Sequence, residues 1–214
     1  MTTTSTTEIS PATAGTRGRT ARVAAGVLAV LWTLFVLPPQ VLDWSGRRGT
    51  FRWVVTQYDA LGYLRLEGWL ADRGLDDTYI VFGVAIVLSI LLTWWAMRPA
   101  HLALGVPGRA LDLAWLALVP LVTISYLSYR PEAPLHALWG TEAFLMLAIV
   151  AWSPVAALLA RRRGLPRRVL WLVGLTGVVM VLSTLLAGYW PHSTMIGVGV
   201  EAVLLALWYP PQRS

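Results

Sequence analysis

The chain has 214 residues, 57% of them hydrophobic and 13% charged, with a formal net charge of +6. Soluble domains carry about 25% charged residues. The deficit here, with a mean hydropathy of +0.62, excludes an ordinary water-soluble domain and points to burial in lipid. There is no cysteine, which excludes disulfides, thiolate catalysis, iron–sulfur clusters and cysteine-held zinc. There is no lysine either, which excludes a retinal Schiff base.

Residues 1–21 are rich in Thr and Ser and contain Pro11, Gly15 and Gly18. Such a stretch cannot bury a core and is expected to be a disordered cytoplasmic tail. Arg17, Arg19 and Arg22 then precede an apolar run, which reads as an uncleaved signal-anchor because no small-x-small site follows Leu37. Six spans are predicted, at 22–43, 79–97, 109–127, 136–158, 169–189 and 194–209, each long enough at roughly 20 residues to cross a bilayer. The fold class is therefore an all-α membrane bundle, one domain over 22–209, followed by a short cytoplasmic tail at 210–214. Pro38 and Pro39 remove two backbone donors and are expected to kink or end the first helix near its outer end.

The loop 44–78 is too long for a simple connection. Phe51, Val54, Val55, Tyr58, Leu61 and Leu64 recur at helical spacing, with Arg52, Gln57, Asp59 and Arg65 between them. That pattern predicts an amphipathic helix lying on the outer membrane face, then a second short piece around Leu66 to Leu70.

Charge fixes the expected orientation. With both termini cytoplasmic, the inner segments hold the N-tail arginines, Arg98, Arg109, the run from Arg161 to Arg168, and Arg213. The outer loop 44–78 has five arginines and five acids, and 128–135 has Arg130 and Glu132, so both net zero. The positive-inside rule selects this orientation in the cell membrane. The same rule accounts for the net charge, which is not a nucleic-acid signal. All seventeen basic residues are arginine; this reflects a GC-rich, actinobacterium-like source, a codon effect with no functional content.

Glu142 and Glu201 are the acids well inside the apolar runs. A carboxylate in lipid is costly, so each is a functional candidate. Each sits in a Gly-x-Glu-Ala-x-Leu string, Gly140 to Leu145 and Gly199 to Leu204, and a proline and a histidine precede both: Pro134 and His136, then Pro191 and His192. The likeness suggests duplication, but the His-to-Glu spacings of six and nine differ. Counted from His136 and Thr194, both carboxyls lie about 9–10 Å deep at 1.5 Å per residue, in the outer half of the membrane. The functional reading is an outward pocket holding Glu142 and Glu201 as catalytic acids, with His136, His192, Trp139, Tyr126 and Tyr189 lining it. The structural alternative is that each glutamate hydrogen-bonds a hydroxyl or a carbonyl and holds helices together. Gly177, Thr184 and Gly188 form a stripe on the fifth span that lets a neighbour approach closely.

No metal is expected. Residues six or nine apart on one helix face different ways, so neither His–Glu pair chelates locally, and His101 is on the other side. No cofactor motif is present: no Walker loop, no His-Glu-x-x-His, no Gly-x-Ser-x-Gly and no Asp-rich diphosphate motif. Asp112 is read as sitting in a first helical turn, where the macrodipole favours it. Twelve tryptophans fit aromatic belts at both interfaces.

Three functions fit. The first is binding of a membrane lipid, another apolar small molecule or a partner membrane protein. The second is a membrane enzyme using a protonated Glu as general acid in an isoprenoid-type cyclisation or isomerisation, with aromatic rings stabilising the cation. The third is a small proton-coupled transporter, which the absence of a deep acid in the inner half disfavours.

Overall fold

The computed structural model describes residues 11–45, 60–187 and 189–209. Among them the order is α1 (Pro11–Ser45), α2 (Tyr63–Ala71), α3 (Thr78–Ala103), α4 (Val106–Leu127), α5 (Thr141–Leu159), α6 (Arg167–Ala187) and α7 (His192–Trp208), with 3₁₀ turns at His136–Leu138 and Ala160–Arg163 and no strand. Five stretches are long and apolar enough to cross a membrane: Gly18–Val41, Thr78–Ala103, Val106–Leu127, His136–Arg163 and Arg167–Ala187. Helix α7 is apolar but shorter, at 17 residues.

The helices close a ring in chain order. α1 packs on α3, α3 on α4, α4 on α5, α5 on α6, α6 on α7, and α7 returns to α1; α3 and α7 also meet across the middle. Close approach depends on glycine where two backbones meet. A Cβ on Gly108 would lie 1.8 Å from the His101 carbonyl oxygen, so the α3–α4 hairpin closes only without one. A Cβ on Gly177 would lie 2.7 Å from the Val150 carbonyl oxygen on α5. That carbonyl is the one whose helical donor Pro154 removes, so the α6 backbone covers a group the proline exposes. The expected small-residue stripe therefore does bring a neighbour close at Gly177; Gly188 lies outside the described residues.

Helix α1 is longer than its apolar run. It is helical from Pro11, inside the stretch 1–21 expected to be a tail, and of the two outcomes expected at Pro38 and Pro39, a kink or an end, it does not end there but continues to Ser45. The structure supplies replacement donors and ties around these prolines. Pro39 has no N–H to give to the Phe35 carbonyl, and the Tyr63 hydroxyl donates to that oxygen at 2.5 Å. Next door, the fully buried Gln40 donates to the Tyr79 carbonyl at 2.9 Å. Lower down, Trp32 donates to the Ala85 carbonyl at 2.7 Å, and Thr33 donates to Ser89 at 2.9 Å. A helix that would be frayed in isolation is thus fastened to α3 along its length.

Of the long loop, Phe51, Val54, Val55 and Tyr58 lie outside the described residues. The expected second piece, Leu66 to Leu70, falls inside α2, which buries Tyr63 and Leu70 and leaves Leu64 and Trp69 exposed. Arg73 caps this helix with its guanidinium 3.8 Å from the centre of the Trp69 ring.

Candidate functional site

Four side chains from three segments form a connected polar cluster at one end of the bundle: Tyr79 on α3, Tyr126 on α4, and Tyr189 and His192 at the start of α7. The Tyr126 and Tyr189 hydroxyls are 3.1 Å apart, and the Tyr189 and Tyr79 hydroxyls 3.4 Å apart. The imidazole Nδ1 of His192 is 3.3 Å from the Tyr126 hydroxyl, and Nε2 is 3.2 Å from the Phe82 carbonyl oxygen. A carbonyl only accepts, so a neutral His192 carries its proton on Nε2 and accepts the Tyr126 hydroxyl at Nδ1. Gly83 makes the space: a Cβ there would stand 2.1 Å from the Tyr126 ring.

Above the cluster, Asp77 caps α3 by accepting the Ile80 N–H at 3.1 Å. The same carboxylate accepts the Tyr129 hydroxyl at 2.8 Å and Arg130 at 2.5 Å. Burial alone would raise the Asp77 pKa, but these donors and the Arg130 charge outweigh it and hold the carboxyl below its usual range.

Glu142 is near this cluster. It is in the first turn of α5 and 7% exposed. The Ser125 hydroxyl accepts the Gly140 N–H at 2.9 Å and lies toward the Glu142 carboxyl, whose Oε2 is buried with no hydrogen-bond partner among the described residues. His136 donates from Nδ1 to the Ser128 carbonyl at 3.0 Å and stacks on Trp139, ring centres 6.0 Å apart. Trp139 is largely exposed.

Glu201 is elsewhere. It lies in the middle of α7, 2% exposed, and Thr176 of α6 donates to its Oε1 at 2.6 Å. Its Oε2 is buried with no hydrogen-bond partner among the described residues. Glu201 forms part of the wall of a groove of about 390 Å³ between α6 and α7, whose other walls are apolar, including Leu172, Val179, Ile196 and Leu204, apart from Ser183.

The sequence-predicted residues therefore divide into groups. Tyr126, Tyr189 and His192 come together, but they are buried and bonded to one another, so they fill one end of the bundle rather than line an open cavity. His136 and Trp139 form their own stack beside Glu142. The glutamates bond to different helices, Glu142 toward Ser125 and Glu201 to Thr176. Their depths also differ: α7 starts at His192, which puts Glu201 in its third turn, whereas Glu142 is in the first turn of α5. The two Gly-x-Glu-Ala-x-Leu strings play unlike roles. Gly140 precedes α5 in the left-handed conformation with φ 79°, whereas Gly199 is inside α7, packed against Val30 of α1.

Sequence reasoning assigned Asp112 to a first turn. α4 begins at Val106 with no acid in its first turn, and Asp112 instead faces Arg98 across the hairpin at 3.7 Å. Three participants were missed: Tyr79, Ser125 and Thr176. Each is a common residue in an apolar run, and only the packing gives it a partner. Among the described residues no group of three or more His, Asp or Glu side chains is placed to hold a metal. No family model matches the chain, and no curated protein or solved structure does.

Proposed function

We propose that this chain is a six-span protein of the cell membrane that binds an apolar ligand in the α6–α7 groove, with Glu201 as the polar recognition point. The observation that carries the reading is a buried carboxyl, one oxygen held by Thr176 and the other without a partner among the described residues, in the wall of a groove that is otherwise apolar apart from Ser183. Leaving a polar atom unpaired in an apolar setting costs about 1–3 kcal/mol. A ligand with a chain for the groove and one hydroxyl or carbonyl for Glu201 would offset that cost. Acyl and isoprenoid amphiphiles have this form.

Helix α7 supports the count of six spans. Its 17 residues extend only about 25 Å, yet it starts in the outer tyrosine cluster and ends beside the first turn of α6. There the Arg168 guanidinium sits 5.8 Å from the Trp208 ring centre and donates to the Trp208 carbonyl at 3.5 Å. It therefore covers the same thickness as its neighbour. The arginine-rich turn after α5 marks the cytoplasmic face, and α2, with Leu64 and Trp69 exposed beside Arg73, belongs to the outer interface.

The groove also argues for binding over catalysis. Its walls offer no aromatic ring to stabilise a carbocation, and Glu142 and Glu201 do not share a partner.

Gentle purification followed by mass spectrometry of retained small molecules tests the reading. Wild type should hold one apolar species enriched over bulk lipid, Glu201→Gln should hold less of it, and Glu201→Leu should lose it while staying folded. If wild type carries only phospholipid in the proportions of the membrane, or Glu201→Leu keeps the same occupancy, the α6–α7 groove is not the binding site.

A further inference from the structure

A second groove, of about 620 Å³, lies at the opposite end of the bundle from the tyrosine cluster, between the last turn of α5 and the first turns of α6. Five arginines crowd this end: Arg161, Arg162, Arg163, Arg167 and Arg168. The structure sorts them. Arg163 turns away to the α3–α4 connection, where its guanidinium lies 2.2 Å from the position a Gly105 Cβ would take. Arg168 is committed to Trp208. Arg162 is not among the groove's walls. Arg161 and Arg167 are, and both are exposed.

Neither has a carboxylate within ion-pair distance: the ion pairs among the described residues are Arg98–Asp112 and Arg130–Asp77. The rest of the groove is apolar, with Leu158 and Leu170 on its sides and Gly174 facing Ala157 at the α5–α6 contact. Trp171, 64% exposed, stands beside it. Charge at the mouth and an apolar trough behind it match an amphiphile with an anionic head. Two guanidiniums favour phosphate, whose oxygens accept their paired N–H donors. The first turn of α6 adds its own partial positive charge. An inorganic anion would leave the trough unfilled.

We propose that this groove binds an anionic phospholipid, with the phosphate between Arg161 and Arg167 and one acyl chain along Leu158, Leu170 and Gly174. It is separate from the α6–α7 groove and does not depend on Glu201.

The test uses the full chain in nanodiscs of phosphatidylcholine containing a graded fraction of phosphatidylglycerol, with bound lipid counted by native mass spectrometry. Each basic residue near a membrane surface is worth roughly fivefold in affinity for anionic lipid. Arg161→Gln with Arg167→Gln should therefore weaken phosphatidylglycerol retention roughly 30-fold. Arg109→Gln removes a charge from the same end but outside the groove and should leave retention nearly unchanged. Gly174→Leu fills the trough and should weaken retention of the diacyl lipid with both arginines in place. Glycerophosphoglycerol, the headgroup without chains, should not compete at concentrations where the lipid saturates. Equal losses from Arg109→Gln and from either groove arginine alone would reduce the effect to diffuse charge and overturn the site. So would retention of phosphatidylcholine equal to phosphatidylglycerol, or competition by the bare headgroup at equal concentration.

Discussion

Replacing Tyr63 with Phe removes one oxygen and keeps the ring that packs on Phe35 and Phe82, with centroids 5.6 and 6.3 Å away. What is lost is the donor to the Phe35 carbonyl, which Pro39 leaves without its helical partner. A buried carbonyl left unsatisfied costs about 1–3 kcal/mol. For a chain of this size each kcal/mol shifts the melting temperature by about 2–4 °C. Tyr63→Phe should therefore lower it by about 2–12 °C, read from tryptophan fluorescence on heating the purified protein in mild detergent. The mechanism makes a sharper statement about the double variant. Pro39→Ala restores an N–H at the correct place for the Phe35 carbonyl, so Tyr63→Phe in that background should cost less than about 0.5 kcal/mol. Contacting residues that share a partner are non-additive by about this order. If the two substitutions add, with a coupling below measurement error, the hydroxyl is not standing in for the missing amide and the account of how α1 passes its prolines fails.

Acid should act through Asp77. Its folded pKa is depressed, so the stability it contributes is complete above its unfolded value near ~3.9 and is lost as pH falls through the lower folded value. Asp77→Asn should flatten the fall in melting temperature below about pH 4; an unchanged acid limb would assign it to other groups. Gly108→Ala puts a Cβ 1.8 Å from a backbone oxygen, whereas Gly174→Ala meets the Ala157 Cβ at an ordinary 3.4 Å. The first should destabilise by about 1–3 kcal/mol or more and the second should be neutral in the same melt, and equal effects would refute the close α3–α4 approach. For orientation, the absence of cysteine permits single-site labelling. Glu132→Cys should react with an impermeant thiol reagent in intact cells and Arg162→Cys only after lysis, and the reverse pattern would invert the topology.

The sequence by itself determined which runs are helical, because lipid leaves a backbone no other way to satisfy its polar groups. It also determined where the arginines collect and which two carboxyls are costly, since both follow from the chemistry of single residues. Tertiary structure decided what those residues do. Hydropathy cannot see that Pro39 is survivable, because the rescuing hydroxyl of Tyr63 comes from beyond the end of the helix it rescues. It cannot rank Gly83, Gly108 and Gly177 above other glycines, because each matters only for the atom on the facing helix. Two strings of the same pattern put Glu142 and Glu201 on equal footing, yet one opens a helix and the other lies in the middle of one, so one carboxyl lies toward Ser125 and the other bonds Thr176. The five arginines after α5 are alike in sequence, and only the directions of the surrounding backbone leave Arg161 and Arg167 facing the groove. Secondary structure in a membrane is set by local composition, but partners are set by which helix stands opposite, and that is a property of the packed bundle.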